Sequence, residues 1–557
     1  MRIVWTQPAL AVVYLATCVV AAPPAAAWAN AVQEPSPAIV TQTPSVVSTA
    51  PRSLLADVTF DVPDAAQSEA KGPSVLQPRR RHVGRGMLEM GAFLTYSATN
   101  YWRKYASFIE DWQFKLNWRD QRRKFFTSEG LRLDSNNFRL NWTHGAAGAL
   151  YYSFGRTNGV GTLGSFLFSA SGSLLWEYGA EWREISSIND HIYTAIGGVA
   201  IGESLFQIGN YFRNRSGASN RLAMVATNPL VALNDLLDGK NRPPRAPIDT
   251  WHDFRLSAGV VRGAVLPDRA TLSQGVLVLD LQLVTLPEYG KNGIGSGRAR
   301  STMDSAFHLD ARAIGGQIEE FHISTRATLF GRWWKNVQRD AHGLPHGHDL
   351  WVGAQVAWDV LQKRPIVSYD GHDLGMKDQW FVRERPTQYT DKVSSVHFPG
   401  PTVSLTTYTG RLRTRLDLGA ALNFSTVNSL PFNLYSATHD TWGVKTTLQN
   451  WGYYYALGTT LTGRAEAEMG VWRATAGVDY RRFGSIQGLD RFQDHVTDDS
   501  RLRDSRFESS ASLTVRIPRS TVFSCVRVEH VDRRGWFHAT AAHAHETRVS
   551  YEIGVRF

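Results

Sequence analysis

The last eleven residues, Thr547-Arg-Val-Ser-Tyr-Glu-Ile-Gly-Val-Arg-Phe557, constrain the fold of this chain more than any other stretch. Val549, Tyr551, Ile553, Val555 and Phe557 are apolar, and Arg548, Ser550, Glu552, Gly554 and Arg556 sit between them. Side chains alternate faces along a strand, so one face is apolar and the other charged or small. A terminal strand of this kind ending in Phe is how outer-membrane β-barrels close, with the apolar face on lipid and the polar face on the lumen.

The same period of two runs upstream from His252. Leu277, Leu279, Leu281 and Leu283 alternate with Val278, Asp280 and Gln282, and Phe307, Leu309, Ala311 and Ala313 alternate with His308, Asp310 and Arg312. Leu412, Leu416, Leu418, Leu422 and Phe424 oppose Arg411, Arg413, Arg415, Asp417 and Asn423. Strands also begin at Tyr453, Trp472, Phe507 and Val522. About eleven strands are legible, and single-chain bacterial barrels use an even number, so one more is expected between Gln362 and Thr407. The expected fold is mainly β, a transmembrane antiparallel β-barrel of about 12 strands preceded by a small helical module. Met469-Gly470 and Ile517-Pro-Arg-Ser520 read as tight turns. Thr426 to Thr441, Phe483 to Arg503 and Asp532 to His545 read as the longer loops outside. Mean hydropathy is only −0.26, as expected when half of each strand faces water. The best candidate for a membrane helix, Thr157 to Trp176, is too rich in Gly and Ser to read as one.

Four parts follow in order. Residues 1–29 read as a secretory signal peptide, with an apolar core from Ala9 to Val20 and small-residue cleavage sites at Ala25 to Ala29. Leu15-Ala-Thr-Cys18 is a loose lipobox alternative; if Cys18 leaves with the signal, Cys525 is the sole cysteine and no internal disulfide forms. Residues 30–85, rich in Ala, Pro, Ser and Thr, read as a disordered linker. Residues 86–245 read as a helical module and residues 246–557 as the barrel. Within the module, Gly164 to Glu184 is expected to be helical, Ser187 to cap a helix with Asp190 three residues on, and Asn228 to Gly239 to be a short helix with Pro early and Gly at its end.

Trp176-Glu-Tyr-Gly-Ala-Glu181, Ser187-Ile-Asn-Asp190, Gly197-Gly198, Gly202-Glu203 and Asn228-Pro-Leu-Val-Ala-Leu-Asn-Asp-Leu-Leu-Asp-Gly239 resemble an uncharacterised bacterial envelope family defined by a domain of unknown function. His144 to Gly148 and Tyr152 to Gly159 fit its preceding block, although Gly145 and Ser186 stand where that family tends to have Pro. The resemblance implies an outer-membrane barrel with an appended helical block. It implies no activity.

Candidate chemistry centres on Glu177, Glu181, Asp190 and His144. On a continuous helix Glu177, Glu181 and Glu184 would share one face, with Ser173 a turn earlier, and carboxylates beside a histidine can act as general acid and base. The alternative is that these glutamates bond to backbone, Arg183 or Arg156 and fix the helices together. The module has no Glu-x-x-His pair and no His-Glu-x-x-His, so neither a metal nor another cofactor is expected. His322-Ile-Ser324 shares one strand face, expected to be the lumen. The groups His342, His346, His348 and His538, His543, His545 read as solvated loop residues. Arg411, Arg413, Arg415, Glu466 and Glu468 either line a selective lumen or pair and plug it.

The net charge of +10 comes with no basic helix or stacking motif, which argues against nucleic acid. Outer-membrane lipids, and the barrel-assembly machinery through the strand ending at Phe557, are the expected partners. Three functional readings follow: a structural or accessory protein with a periplasm-side helical module docked at or plugging the barrel mouth, a lipid-modifying hydrolase or transferase, and a channel for small anions.

Overall fold

The computed structural model describes residues 81–106, 117–239, 251–266, 270–286, 289, 293–299, 304–363, 391–436 and 438–557. The expected signal segment, and the linker up to residue 80, lie outside the described residues.

The alternating stretches form one closed antiparallel barrel. Its strands are β1 Trp251–Leu266, β2 Ala270–Val284, β3 Asp304–Ile314, β4 Gln317–Arg339, β5 Pro345–Lys363, β6 Lys392–Thr409, β7 Leu412–Asn428, β8 Tyr453–Met469, β9 Trp472–Ser485, β10 Leu502–Arg516, β11 Val522–Phe537 and β12 Thr540–Arg556. Each pairs with the next, and the terminal β12 closes the circle on β1, from Arg556↔Arg255 to His545↔Leu266. The strand expected between Gln362 and Thr407 is β6. The expected loop from Asp532 to His545 is instead mostly strand: β11 and β12 stay paired up to Phe537↔Thr540, with a tight turn in which His538 has φ 50°. One end of the barrel carries short turns such as Gly410-Arg411 and Gly470-Val471. The other carries the long segments 429–452 and 486–501.

The alternation sorts as a membrane requires. Leu416, Leu418, Leu422, Leu457, Leu461, Val478, Leu513, Val526, Val528, Val549, Tyr551, Ile553 and Val555 are exposed on the outside. Their polar strand neighbours Arg415, Arg473, Arg481, Glu546, Arg548 and Glu552 are buried in the lumen. An apolar belt outside and a polar interior mark a transmembrane barrel.

The helices precede it: α1 Val83–Ala106, α2 Trp118–Phe126, α3 Phe138–Thr157, α4 Thr162–Leu175, α5 Ile188–Ile192, α6 Gly198–Arg213, α7 Ala218–Thr227 and α8 Pro229–Asp238. Local signals set their ends. Asn137 accepts from Leu140 N at 3.0 Å, Ser187 from Asp190 N at 3.3 Å and Asn228 from Val231 N at 3.3 Å, and Pro229 follows that last cap. The helices do not enter the lumen; they lie on the outer wall. Tyr193, Ile201 and Leu205 form one core with the outward-facing Leu309, Ile323, Ala327, Val356, Trp358, Val360 and Val396 of β3 to β6. At the turn end, Ile208, Tyr211 and Phe212 continue onto Phe254, Leu281 and Leu283. At the loop end, Tyr193 Oη donates to Ser394 O at 2.9 Å. Residues 188–213 therefore run the height of the wall, about 39 Å at a helical rise of about 1.5 Å, enough to cross a bilayer core of about 30 Å.

The placement of the module against this wall differs from the expected docking at the barrel mouth, and its surface explains why. Met87, Leu88, Leu163, Leu167, Leu174 and Leu175 face outward, whereas Ser165, Ser169 and Ser173 face inward. A helix polar inside and apolar outside belongs against lipid. None of the described helices is long and apolar enough to cross a membrane alone. Among them, α4 turns its serines to the bundle and its leucines outward, while α6 meets the wall with the apolar Ile201 and Leu205.

Glycines make this packing possible. A Cβ on Gly148 would lie 1.9 Å from Thr194 O, and one on Gly198 would lie 2.6 Å from Gly148 C, so α3 meets the α5–α6 segment backbone to backbone. Ser169 Oγ closes the contact, 3.0 Å from Gly148 O and 2.8 Å from Thr194 O. Gly148→Val should therefore cost about 1–3 kcal/mol or more in urea unfolding of the micelle-embedded protein. Gly91→Ala, where nothing lies within 4 Å of the added carbon, should cost nothing.

Candidate functional site

The sequence-predicted residues gather at the loop end of the helical module, but not on one helix face. After Leu175 the helix widens into a π turn, Trp176–Ala180, and ends; Glu181 N bonds back to Trp176 O at 3.0 Å. The continuous helix expected to Glu184 is absent, so the three glutamates diverge. Glu177 Oε2 accepts from Ser187 N at 2.8 Å. Glu181 Oε1 accepts from the Trp176 indole at 2.8 Å. Glu184 accepts from Tyr101 Oη at 2.9 Å and from Arg491 Nη2 at 2.7 Å. A π turn at such a place is a frequent mark of sites under constraint.

His144 and Asp190 do meet. His144 Nδ1 lies 2.7 Å from Leu140 O and 3.4 Å from Asp190 Oδ1. Asn189 Nδ2 donates to Asp190 Oδ1 and to Asn141 Oδ1, both at 2.8 Å, and Tyr455 of β8 donates to the same Asn141 oxygen at 2.9 Å. Asp190 is 2% exposed, and its Oδ2 has no hydrogen-bond partner among the described residues. Arg156 and Arg183, the other expected partners of the glutamates, go elsewhere. Arg156 binds Glu203 in two bonds of 2.7 and 2.9 Å, and Arg183 lies 3.6 Å from Asp120.

Several participants had no signal at short sequence range. Lys124 Nζ donates to the carbonyls of Glu177 and, at 2.7 Å, Glu181, closing the frayed end of the π turn. Burial pushes this ammonium below its ordinary range, against the pull of Glu177, Glu181 and Glu184. Arg491, from the loop after β9, pairs with Asp134 and Glu184 and ties the barrel to the module. Leu133 N adds a bond of 2.7 Å to Leu489 O. His191 sits between Ser173 Oγ and Ser186 Oγ, 3.0 Å from each.

The lumen is crossed by ion pairs between strands that are not neighbours. Arg481 of β9 meets Asp359 of β5 at 2.6 Å, and Arg312 of β3 meets Glu529 of β11 at 2.6 Å. Arg415 of β7 meets Asp304 of β3, Arg548 of β12 meets Glu320 of β4, and Lys363 of β5 meets Glu546 of β12, each at 2.7 Å. Arg413 also bonds Glu468 at 3.1 Å, so the charged rows seen in sequence pair with one another. A cavity of about 340 Å³ remains among them, lined in part by Asp280, His308, His322, Arg464 and Arg527. His322 is thus on the lumen side, away from any bilayer lipid. No group of three His, Cys, Asp or Glu placed to hold a metal occurs among the described residues.

Residues 130–232 match a family described as a domain of unknown function (DUF3943). The DUF3943 segment contains His144, Glu177, Glu181 and Asp190 and runs from the residues before α3 into α8, so the resemblance read from the sequence stands. No curated protein matches the chain. Among solved structures, the CymD monoaromatic hydrocarbon channel is similar over 55% of this chain and 88% of its own, at 9% identity and TM-score 0.17. The Pseudomonas putida toluene transporter TodX is similar over 56% and 90%, at 10% identity and TM-score 0.21. The translocator domain of the autotransporter NalP from Neisseria meningitidis is similar over 61% and 100%, at 11% identity and TM-score 0.18. Scores this low carry no argument about what this chain does.

The Arg156–Glu203 pair sits inside the DUF3943 segment with Glu203 fully buried. Glu203→Ala should cost about 3–5 kcal/mol, because it strands a buried guanidinium, whereas Arg156→Met with Glu203→Met should recover most of it. Urea titration of the refolded protein reads the difference.

Proposed function

We propose that this chain is a structural or accessory protein of the bacterial outer membrane, in which the DUF3943 helices are built onto the lipid side of the barrel. One observation carries the reading: the acidic cluster is closed on itself. Glu177, Glu181 and Glu184 take their hydrogen bonds from Ser187, Trp176, Tyr101 and Arg491 of the same chain. The lumen is treated in the same way, its charges paired across the axis, which weighs against a wide aqueous channel. With the buried charges used internally, the surface left for contact is the exterior of helices and strands, apolar along the belt.

A second reading, a lipid-modifying hydrolase or transferase, is favoured by one feature. Asp190 is buried beside His144 with one carboxylate oxygen unpartnered among the described residues. A buried acid and imidazole in contact can move a proton.

Mass spectrometry of outer-membrane lipids separates the two. Cells making the wild type, the Glu177→Ala/Glu181→Ala variant, the His144→Ala/Asp190→Asn variant, or no protein should have the same lipids. A lipid change on deletion that wild type reverses, and that either variant fails to reverse while still assembling as a heat-modifiable barrel, would overturn the structural reading in favour of the enzyme. In planar bilayers, the structural reading expects no steady ion conductance from the purified protein, and a stable open conductance would move the assignment to a channel.

A further inference from the structure

Beyond the covered side of the wall, the outward face of β9 to β11 carries an unusual row of charge. Alternation fixes which residues point out. Arg481, Asp504 and Arg533 are buried on the lumen side, where Arg481 meets Asp359, Asp504 accepts from Tyr454 at 2.5 Å, and Arg533 meets Asp391 at 3.1 Å. Their strand neighbours Arg482, Arg503 and Arg534 are therefore outside, and all three are exposed. The register puts them together: Arg482 and Arg534 both face Ser505 from either side, and Arg503 lies two residues further along the middle strand. At a strand spacing of about 4.8 Å and a rise of about 3.4 Å, the three Cα atoms form a triangle with sides of about 8–10 Å.

The surroundings give the triangle its chemistry. Directly below it on the same strands, towards the turn end, stand the exposed Tyr480 and Phe507, and Trp536 is exposed beside Arg503. Further down come Val478, Leu513, Val526 and Val528 of the apolar belt. Arg534 shares its charge with Asp532 at 3.0 Å, whereas Arg482 and Arg503, both exposed, enter no ion pair among the described residues. His543, opposite Arg534 on β12, extends the polar row and bonds Asp532 at 2.7 Å. Two uncommitted guanidinium groups, fanned over a short triangle and bounded below by aromatic rings and aliphatic side chains, match an amphiphile. Its anionic phosphates would sit on the arginines and its acyl chains on the belt. Guanidinium suits phosphate because its donors form a planar fork.

The loop end of such barrels faces outward, where the outer leaflet is built from phosphorylated lipid A. We infer that Arg482, Arg503 and Arg534 form a binding site for the phosphates of lipid A on the side of the barrel opposite the helical module. This rests on the outer-membrane placement proposed above. It names a lipid for one particular face of the wall.

The test uses the full chain purified in mild detergent from outer membranes, with lipid A phosphate measured per mole of protein. The wild type should retain about one lipid A per chain. Arg482→Ala/Arg503→Ala should lose at least tenfold while keeping heat-modifiable migration, and Arg482→Lys/Arg503→Lys should fall between. In reconstitution, bisphosphorylated lipid A should compete for the site, whereas lipid A stripped of both phosphates should not. Equal retention by wild type and the alanine variant would overturn the site, as would equal competition by phosphatidylglycerol vesicles. Recovery of the protein in the inner membrane would instead sink the placement on which the site rests.

Discussion

The structure depends on one constraint, that polar groups at membrane depth find their partners inside the protein. The barrel meets it by closing β12 on β1, which leaves no unpaired strand edge in the circle. The helices meet it by turning Ser165, Ser169, Ser173 and Glu203 inward and leucines outward. Both parts are thus polar inside and apolar outside, and that shared sense lets them join. The outward Leu309, Ile323, Val360 and Val396 would otherwise face lipid, and here they pack in one core with Tyr193 and with Ile201 and Leu205 of α6.

Joining them requires close approach, because lipid offers no hydrophobic drive for one apolar surface to leave it for another. Van der Waals contact and interhelical hydrogen bonds must supply the stability. Gly148 and Gly198 allow the backbones to touch, and Ser169 converts that touch into two hydrogen bonds. The all-buried α6 is the keystone of this arrangement, held between the wall on one side and α3 and α4 on the other. Glu203 can sit there as an ion because Arg156, Tyr152 and Gln207 surround it.

The acidic cluster follows from the same geometry. A π turn ends α4 and leaves carbonyls without partners, and Lys124 takes two of them. Arg491 then reaches in from the β9–β10 loop. The candidate site is therefore also a joint, in which a barrel loop, the short α2 and the long helices are fastened at the loop end. A joint of this kind gives a physical reason for charged residues to be buried without requiring chemistry, although Asp190 Oδ2 takes no hydrogen bond in it among the described residues.

Much of this was written in local pattern. Alternation along the strands gave the barrel, the even count called for a strand where β6 lies, and Ser187, Asn228 and Pro229 marked helix starts, because each of these signals acts over a few residues. Three features were not legible. The segment from Asp532 to His545 looked like a loop because its outward side is polar, yet that polarity belongs to a wall above the lipid belt. Glu177, Glu181 and Glu184 looked like one helix face because spacing assumes a continuous helix, and the π turn rotates them apart. The side of the wall taken by the helices was hidden because Leu163 and Leu167 show the same apolar pattern whether they face a core or lipid. Sequence alone determined the periods, the caps and the residue types. Only the tertiary structure decided which apolar faces meet each other, since that choice depends on contacts such as Gly148 with Thr194 and Ile201 with the wall, between elements far apart in the chain.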